Sequence, residues 1–209
     1  MKSLALSFVT ALVLLLGVAP QAHAQFGIKG GVNWAELQGR SGEDASYKTF
    51  YHVGILYQAH LIGPLSIQPE VQYSVQGGNL KGAFTDYDSK LHYFTVPVLA
   101  KVTVGPIFVE AGPQFGYLVS ANQDGKVQIS STNGSASYGQ VNQSATDQYK
   151  RTEFSLAAGA GLKFSALSIG GRYVAGLNDI NDVKTLSGIN DPRLKNRVFQ
   201  LYASLQFGK

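Results

Sequence analysis

From Phe26 onward the chain alternates apolar with polar or small residues in eight separate stretches. The clearest is Leu65–Gln76, where Leu65, Ile67, Pro69, Val71, Tyr73 and Val75 share one face and Ser66, Gln68, Glu70, Gln72, Ser74 and Gln76 share the other. Successive side chains of a strand point to opposite sides, so this segment has one greasy face and one polar face. The same period predicts strands over Phe26–Leu37, Tyr47–His60, Leu91–Val104, Ile107–Ser120, Arg151–Phe164, Leu167–Asn178 and Asn196–Phe207. Phe26, Ile28, Val32 and Trp34 form the apolar row of the first strand, with Lys29 and Asn33 opposite. Phe199, Leu201, Ala203, Leu205 and Phe207 form that of the last.

The connections alternate as well. Long polar segments at Gln38–Ser46, Gly77–Lys90, Ala121–Lys150 and Asp179–Lys195 take turns with tight ones at Ile62-Gly63-Pro64, Gly105-Pro106 and Ser165-Ala166. An antiparallel meander places alternate turns at opposite ends, so all long connections share one end and both termini lie at the other. The pattern predicts an all-β, eight-stranded antiparallel up-and-down transmembrane β-barrel, with long loops extracellular and short turns and both termini periplasmic. Ala121–Lys150 is rich in Ser, Asn, Gln, Gly and Thr and reads as irregular, since it has little to bury. Three prolines inside strands, Pro69, Pro97 and Pro113, remove ladder donors and are expected at bulges.

Met1–Ala24 has the form of an export signal: Lys2, an apolar run over Leu4–Val18, and Ala22-His23-Ala24 before Gln25. The expected mature domain is 25–209, and no later stretch offers the roughly 20 consecutive apolar residues of a membrane helix. Cysteine is absent, which removes thiolate metal sites and cysteine nucleophiles. The net charge of +4, one unit lower without Lys2, is mild and scattered, against a nucleic-acid surface. The 24 glycines suit a crowded narrow lumen and the 11 tyrosines a membrane–water boundary.

Four segments resemble a known family: Ile67-Gln68-Pro69-Glu70-Val71-Gln72-Tyr73-Ser74, Tyr93-Phe94-Thr95-Val96-Pro97-Val98-Leu99, Val109-Glu110-Ala111-Gly112-Pro113-Gln114-Phe115-Gly116-Tyr117 and the Gly159–Tyr173 hairpin. These are similar to the outer-membrane β-barrel domain proteins often labelled porin-family or PorT-family. The resemblance spans Phe26–Phe207 and implies an eight-stranded barrel in a Gram-negative outer membrane. It carries over no catalytic residue. The aromatic Phe207 near the end of the last strand also resembles the signal read by the barrel-insertion machinery, although Gly208 and Lys209 follow it.

Candidate chemistry concentrates on the polar rows. Glu70, Lys101, Glu110 and Arg172 each lie a few residues from a short turn and should share one band of the lumen. An eight-stranded barrel is just wide enough for side chains to fill, and opposite charges there should pair into a structural network. A narrow porin-like channel for small solutes is the alternative. A soluble lipocalin-type binder would invert the two faces. His52 and His60 lie about 26 Å apart along one strand and cannot share a metal, whereas the pattern places His92, with Asp86 and Asp88, near the outer rim beside His52. No metal, cofactor or enzymatic activity is expected, and no local motif pairs a nucleophile with a base. Gly159-Ala160-Gly161 and Gly170-Gly171 open no helix and are not phosphate cradles. The expected role is structural or interaction-based, with outer-membrane lipid around the barrel and an extracellular or envelope protein as partner of the 121–150 loop.

Overall fold

The computed structural model describes residues 24–38, 47–82, 85–132, 135–144, 146, 149–180 and 194–208. Alternation becomes strand throughout: β1 Ala24–Gln38, β2 Lys48–Ile62, β3 Leu65–Gly82, β4 Thr85–Val104, β5 Ile107–Thr132, β6 Ser135–Ser144, β7 Thr152–Phe164, β8 Leu167–Gly176 and β9 Lys195–Phe207. The expected export signal at 1–24 lies outside the described residues apart from Ala24, which opens β1, and the 39–46 connection lies outside them entirely. Neighbours pair antiparallel, and β1 pairs with β9 from Phe26↔Phe207 to Gln38↔Lys195, so first and last strands close a barrel. Eight strands form its wall; β6 adds to the upper part of β5, whose lower part pairs with β7. The three short turns fall where the sequence places them. Gly63, Gly105 and Ser165 take the left-handed conformation there, with φ of 56°, 60° and 54°.

Two expected loops are instead built as strand. Gly77–Gly82 pairs with Thr85–Lys90, and Asn122–Thr132 pairs with Ser135–Ser144, so two hairpins project beyond the wall. A strand added to a neighbour satisfies its backbone groups through the ladder and needs no buried face. Polar composition excludes a core, not a hairpin.

The prolines are not at bulges. Registers hold through all three; the shifts in the wall ladders fall at His60/Ile62 and His92/Tyr93. Around each proline one ladder lacks two pairs and then resumes unshifted, as between Pro69↔Val98 and Gln72↔Thr95. A ladder anchored on both sides of the gap tolerates a missing donor without an inserted residue.

The faces sort as alternation requires. Ile55 is 59% exposed on the outside, while Arg172 is 0% exposed inside. Aromatics bracket the apolar exterior. Towards the long hairpins, Trp34 stacks on Phe199 at 5.7 Å, Tyr73 meets Phe94 at 5.8 Å, and Phe115 meets Phe154 at 5.3 Å. At the short-turn end Phe26 meets Tyr57 at 4.9 Å. An apolar band between two aromatic girdles is the profile of a barrel in lipid.

Inside, glycine makes room for large polar groups. A Cβ on Gly170 would lie 2.7 Å from the Tyr202 ring and 3.0 Å from Phe108. Gly170→Val should therefore destabilise the barrel by about 1–3 kcal/mol through overpacking. Comparing the urea midpoints of variant and wild type tests this; an unchanged midpoint would contradict such tight filling.

Candidate functional site

The lumen holds a charged tier built by five strands. Arg172 on β8 projects into space left by Gly159, its ladder partner on β7, where a Cβ would stand 3.2 Å from the arginine's own Cβ. Its guanidinium donates from Nη1 and Nη2 to the two carboxylate oxygens of Glu70 at 2.9 and 2.8 Å, and from Nε to Oε1 of Glu110 at 2.8 Å. One planar fork thus ties β8 to β3 and β5, using the geometry that lets arginine bind carboxylates bidentately. Glu70 also accepts from Gln68 at 2.6 Å and from Gln72. Tyr202 of β9 donates its hydroxyl to Glu110 at 2.8 Å. All these groups are buried.

Of the four residues the sequence singles out, the structure joins Glu70, Glu110 and Arg172 directly. Lys101 differs. It faces Glu110 across the β4–β5 ladder, yet its ammonium donates to Gln68 Oε1 at 3.1 Å and lies 3.9 Å from the Phe108 ring centre. The fourth ion-pair partner is Lys29, 3.3 Å from Glu70 and 3.5 Å from the Tyr202 ring centre. Its inward position is legible in the alternation of β1. Its height is not, because no short turn precedes β1 and only the β1–β9 seam sets it against Tyr202, through Gly31↔Tyr202.

Three further tiers lie above, in the order given by the β5–β7 ladder, where Glu110, Gly112, Gln114 and Gly116 face Gly159, Ala157, Ser155 and Glu153. Directly over the charges is an apolar layer of Ala35, Leu99, Ala157, Val174 and Val198. Glu153 comes next, a carboxylate that sequence reasoning did not select. It accepts from Asn196 Nδ2 at 2.6 Å and Ser155 Oγ at 2.9 Å. Over it sits a second apolar layer including Leu37, Leu91, Leu118, Tyr149, Ile180 and Leu194. Glu153 was readable as inward-facing from its place in β7, but only the folded stack shows it between two apolar layers.

The histidines do not assemble. His52 faces the lumen and bonds Asn33 Oδ1 through Nδ1 at 2.7 Å, whereas His92 sits on the outer face with Nδ1 2.7 Å from the Tyr73 hydroxyl. Opposite faces of the wall keep them apart, so the gathering considered at the outer rim does not form. Ser66 Oγ lies 3.0 Å from His60 Nδ1, but Ser66 is fully buried and takes a hydrogen bond from Gln58 at 3.1 Å. A serine so enclosed does not meet substrate.

A closed wall, apolar outside with two aromatic girdles and polar within, defines a transmembrane β-barrel protein. The family described as outer membrane protein beta-barrel domain matches residues 19–182. The chain belongs to that family, and its place is the outer membrane. Among solved structures it is similar to Ail, the attachment invasion locus protein of Yersinia pestis, in complex with the heparin analogue sucrose octasulfate, at 13% identity and a TM-score of 0.48, covering 88% of this chain and 99% of that one. It is also similar to Neisserial surface protein A at 14% identity and 0.44, covering 87% and 97%, and to the N-terminal β-barrel domain of Pseudomonas aeruginosa OprF at 10% and 0.36, covering 90% and 100%. No curated protein sequence matches it significantly.

Proposed function

We propose that this protein is a non-enzymatic, closed outer-membrane scaffold that presents its long hairpins to a protein partner and conducts no solute. In this reading Met1–Ala24 is the export signal, the β3–β4 and β5–β6 hairpins face outward, and the short turns and both termini face the periplasm. The last strand, with Phe207 near its end, engages the insertion machinery. Glu70, Glu110 and Arg172, with Lys29 and Lys101, form a structural lumenal network.

The observation that carries the proposal is the Arg172 fork spanning the lumen to Glu70 and Glu110 beneath two apolar layers. Ions crossing would have to break a desolvated ion-pair network and then pass surfaces that give them no hydration. The projecting hairpins are what such a plugged wall leaves available for recognition. Purified protein in planar bilayers should show no discrete conductance steps at voltages where a general porin opens in the same membrane. Reproducible steps from the wild type would overturn the closed reading and favour a narrow channel.

A further inference from the structure

We propose that the open edge of β6 takes up an extended segment of a partner protein as an added strand, held by main-chain hydrogen bonds. The inference rests on the reading of the hairpins as partner-facing and names what that partner must offer. The two hairpins are one sheet. Gly77–Gly82 pairs with Thr85–Lys90, whose other side pairs with Asn122–Val127 of β5, and β5 pairs in turn with Ser135–Ser144. β6 ends this row, and among the described residues its second edge meets no strand. Alternate residues of a strand direct their amide and carbonyl to the same edge. Half of the backbone groups of this 10-residue strand therefore face outward without a ladder.

The usual guards of an edge strand are missing from β6. Proline, lysine and other charges keep strands from adding to an edge, and Ser135–Ser144 contains no proline and no charged residue. The opposite edge of the sheet, Gly77–Gly82, is short, rich in glycine and carries Lys81. One edge is thus protected and the other receptive. Because β6 offers backbone groups and no charge, its occupant is recognised by being extended, free of proline and rich in β-branched residues. A second copy in the same membrane does not fit. The two-fold axis relating such copies runs along the membrane normal, whereas antiparallel pairing of β6 with itself needs an axis perpendicular to the strand. With strands tilted about 35–45° from the normal, the two β6 strands would cross at about 70–90°.

The test uses the full mature barrel in lipid nanodiscs, with a random peptide library displayed on phage as the probe. Selected peptides should lack proline and favour Val, Ile and Thr. A selected peptide is then synthesised with N-methyl groups on alternate residues, in each of the two phases. One phase removes the amides that face β6 and should weaken binding by about a hundredfold or more, while the other phase should retain it. In hydrogen exchange, alternate β6 amides should exchange freely in the unbound barrel and slow by about tenfold or more when the peptide is bound. Failure to select any peptide, or equal binding of the two N-methyl phases, would overturn the proposal. So would alternate amides already protected in the free barrel, the edge then being covered by this chain or by a second copy. Binding indifferent to the phase, yet lost when residues 122–144 are replaced by a short linker, would sink the edge and keep the hairpins as the partner-facing surface.

Discussion

Replacing Arg172 with methionine destabilises the barrel by about 3–5 kcal/mol, the cost of removing one partner from a buried ion-pair network. The guanidinium is the only group that bonds both Glu70 and Glu110 among the described residues, and all three side chains are buried. Without it Glu70 keeps Lys29, Gln68 and Gln72, whereas Glu110 keeps the Tyr202 hydroxyl alone and its Oε2 is already unpartnered. Most of the penalty therefore falls on Glu110. Adding E110Q to R172M should recover a substantial part of the loss, because a neutral amide is much cheaper to bury than a lone carboxylate. E110Q alone should be destabilising, since it weakens the Arg172 pairing. Equilibrium urea unfolding in lipid vesicles, followed by the fluorescence of the single tryptophan, Trp34, measures each variant. A loss below about 1 kcal/mol for R172M would mean that water fills the lumen enough to solvate the carboxylates, and the plug would no longer stand.

The second large effect lies on the other face. Ala203 is exposed on β9, midway between Phe199 and Phe207, which mark the two aromatic boundaries on that strand. Ala203→Arg should cost about 2–4 kcal/mol in lipid vesicles, the value for a cation at the bilayer midplane of a barrel. Val119→Arg, beyond the girdle residue Tyr117 on the hairpin side of β5, should cost about 0–1 kcal/mol. Depth separates the two, since both positions are exposed on the outer face. Equal costs at both sites would place the outer surface in water. Folding of the wild type in plain buffer, without detergent or lipid, would lead to the same conclusion.

Strand alternation transmits a great deal because it is local. Whether residue 70 faces the lumen depends only on its parity relative to Val71 and Tyr73, and the inward burial of Glu70, Lys101, Glu110 and Arg172 follows from that parity. The short turns are equally local, since a Gly at positive φ or a Gly-Pro pair ends a strand wherever it stands. Composition misled at 77–90 and 121–144 because it reports what a segment can bury, while a hairpin needs only a neighbouring ladder. The prolines misled for a related reason. A bulge was the remedy available to a single strand, but these strands are each held by two neighbours.

Parity, short-turn positions and the number of strands in the wall were thus settled by the amino-acid order itself, through interactions a few residues long. Which charges meet was decided only by closure of the cylinder, which sets the stagger of every strand against its neighbours. A shift of two residues along β1 leaves Lys29 facing inward but carries it about 7 Å away from Glu70. The same stagger seats Lys101 on Gln68 and Phe108 instead of a carboxylate, and encloses Glu153 between two apolar layers. Facing is a property of each strand, whereas height is a property of the whole barrel.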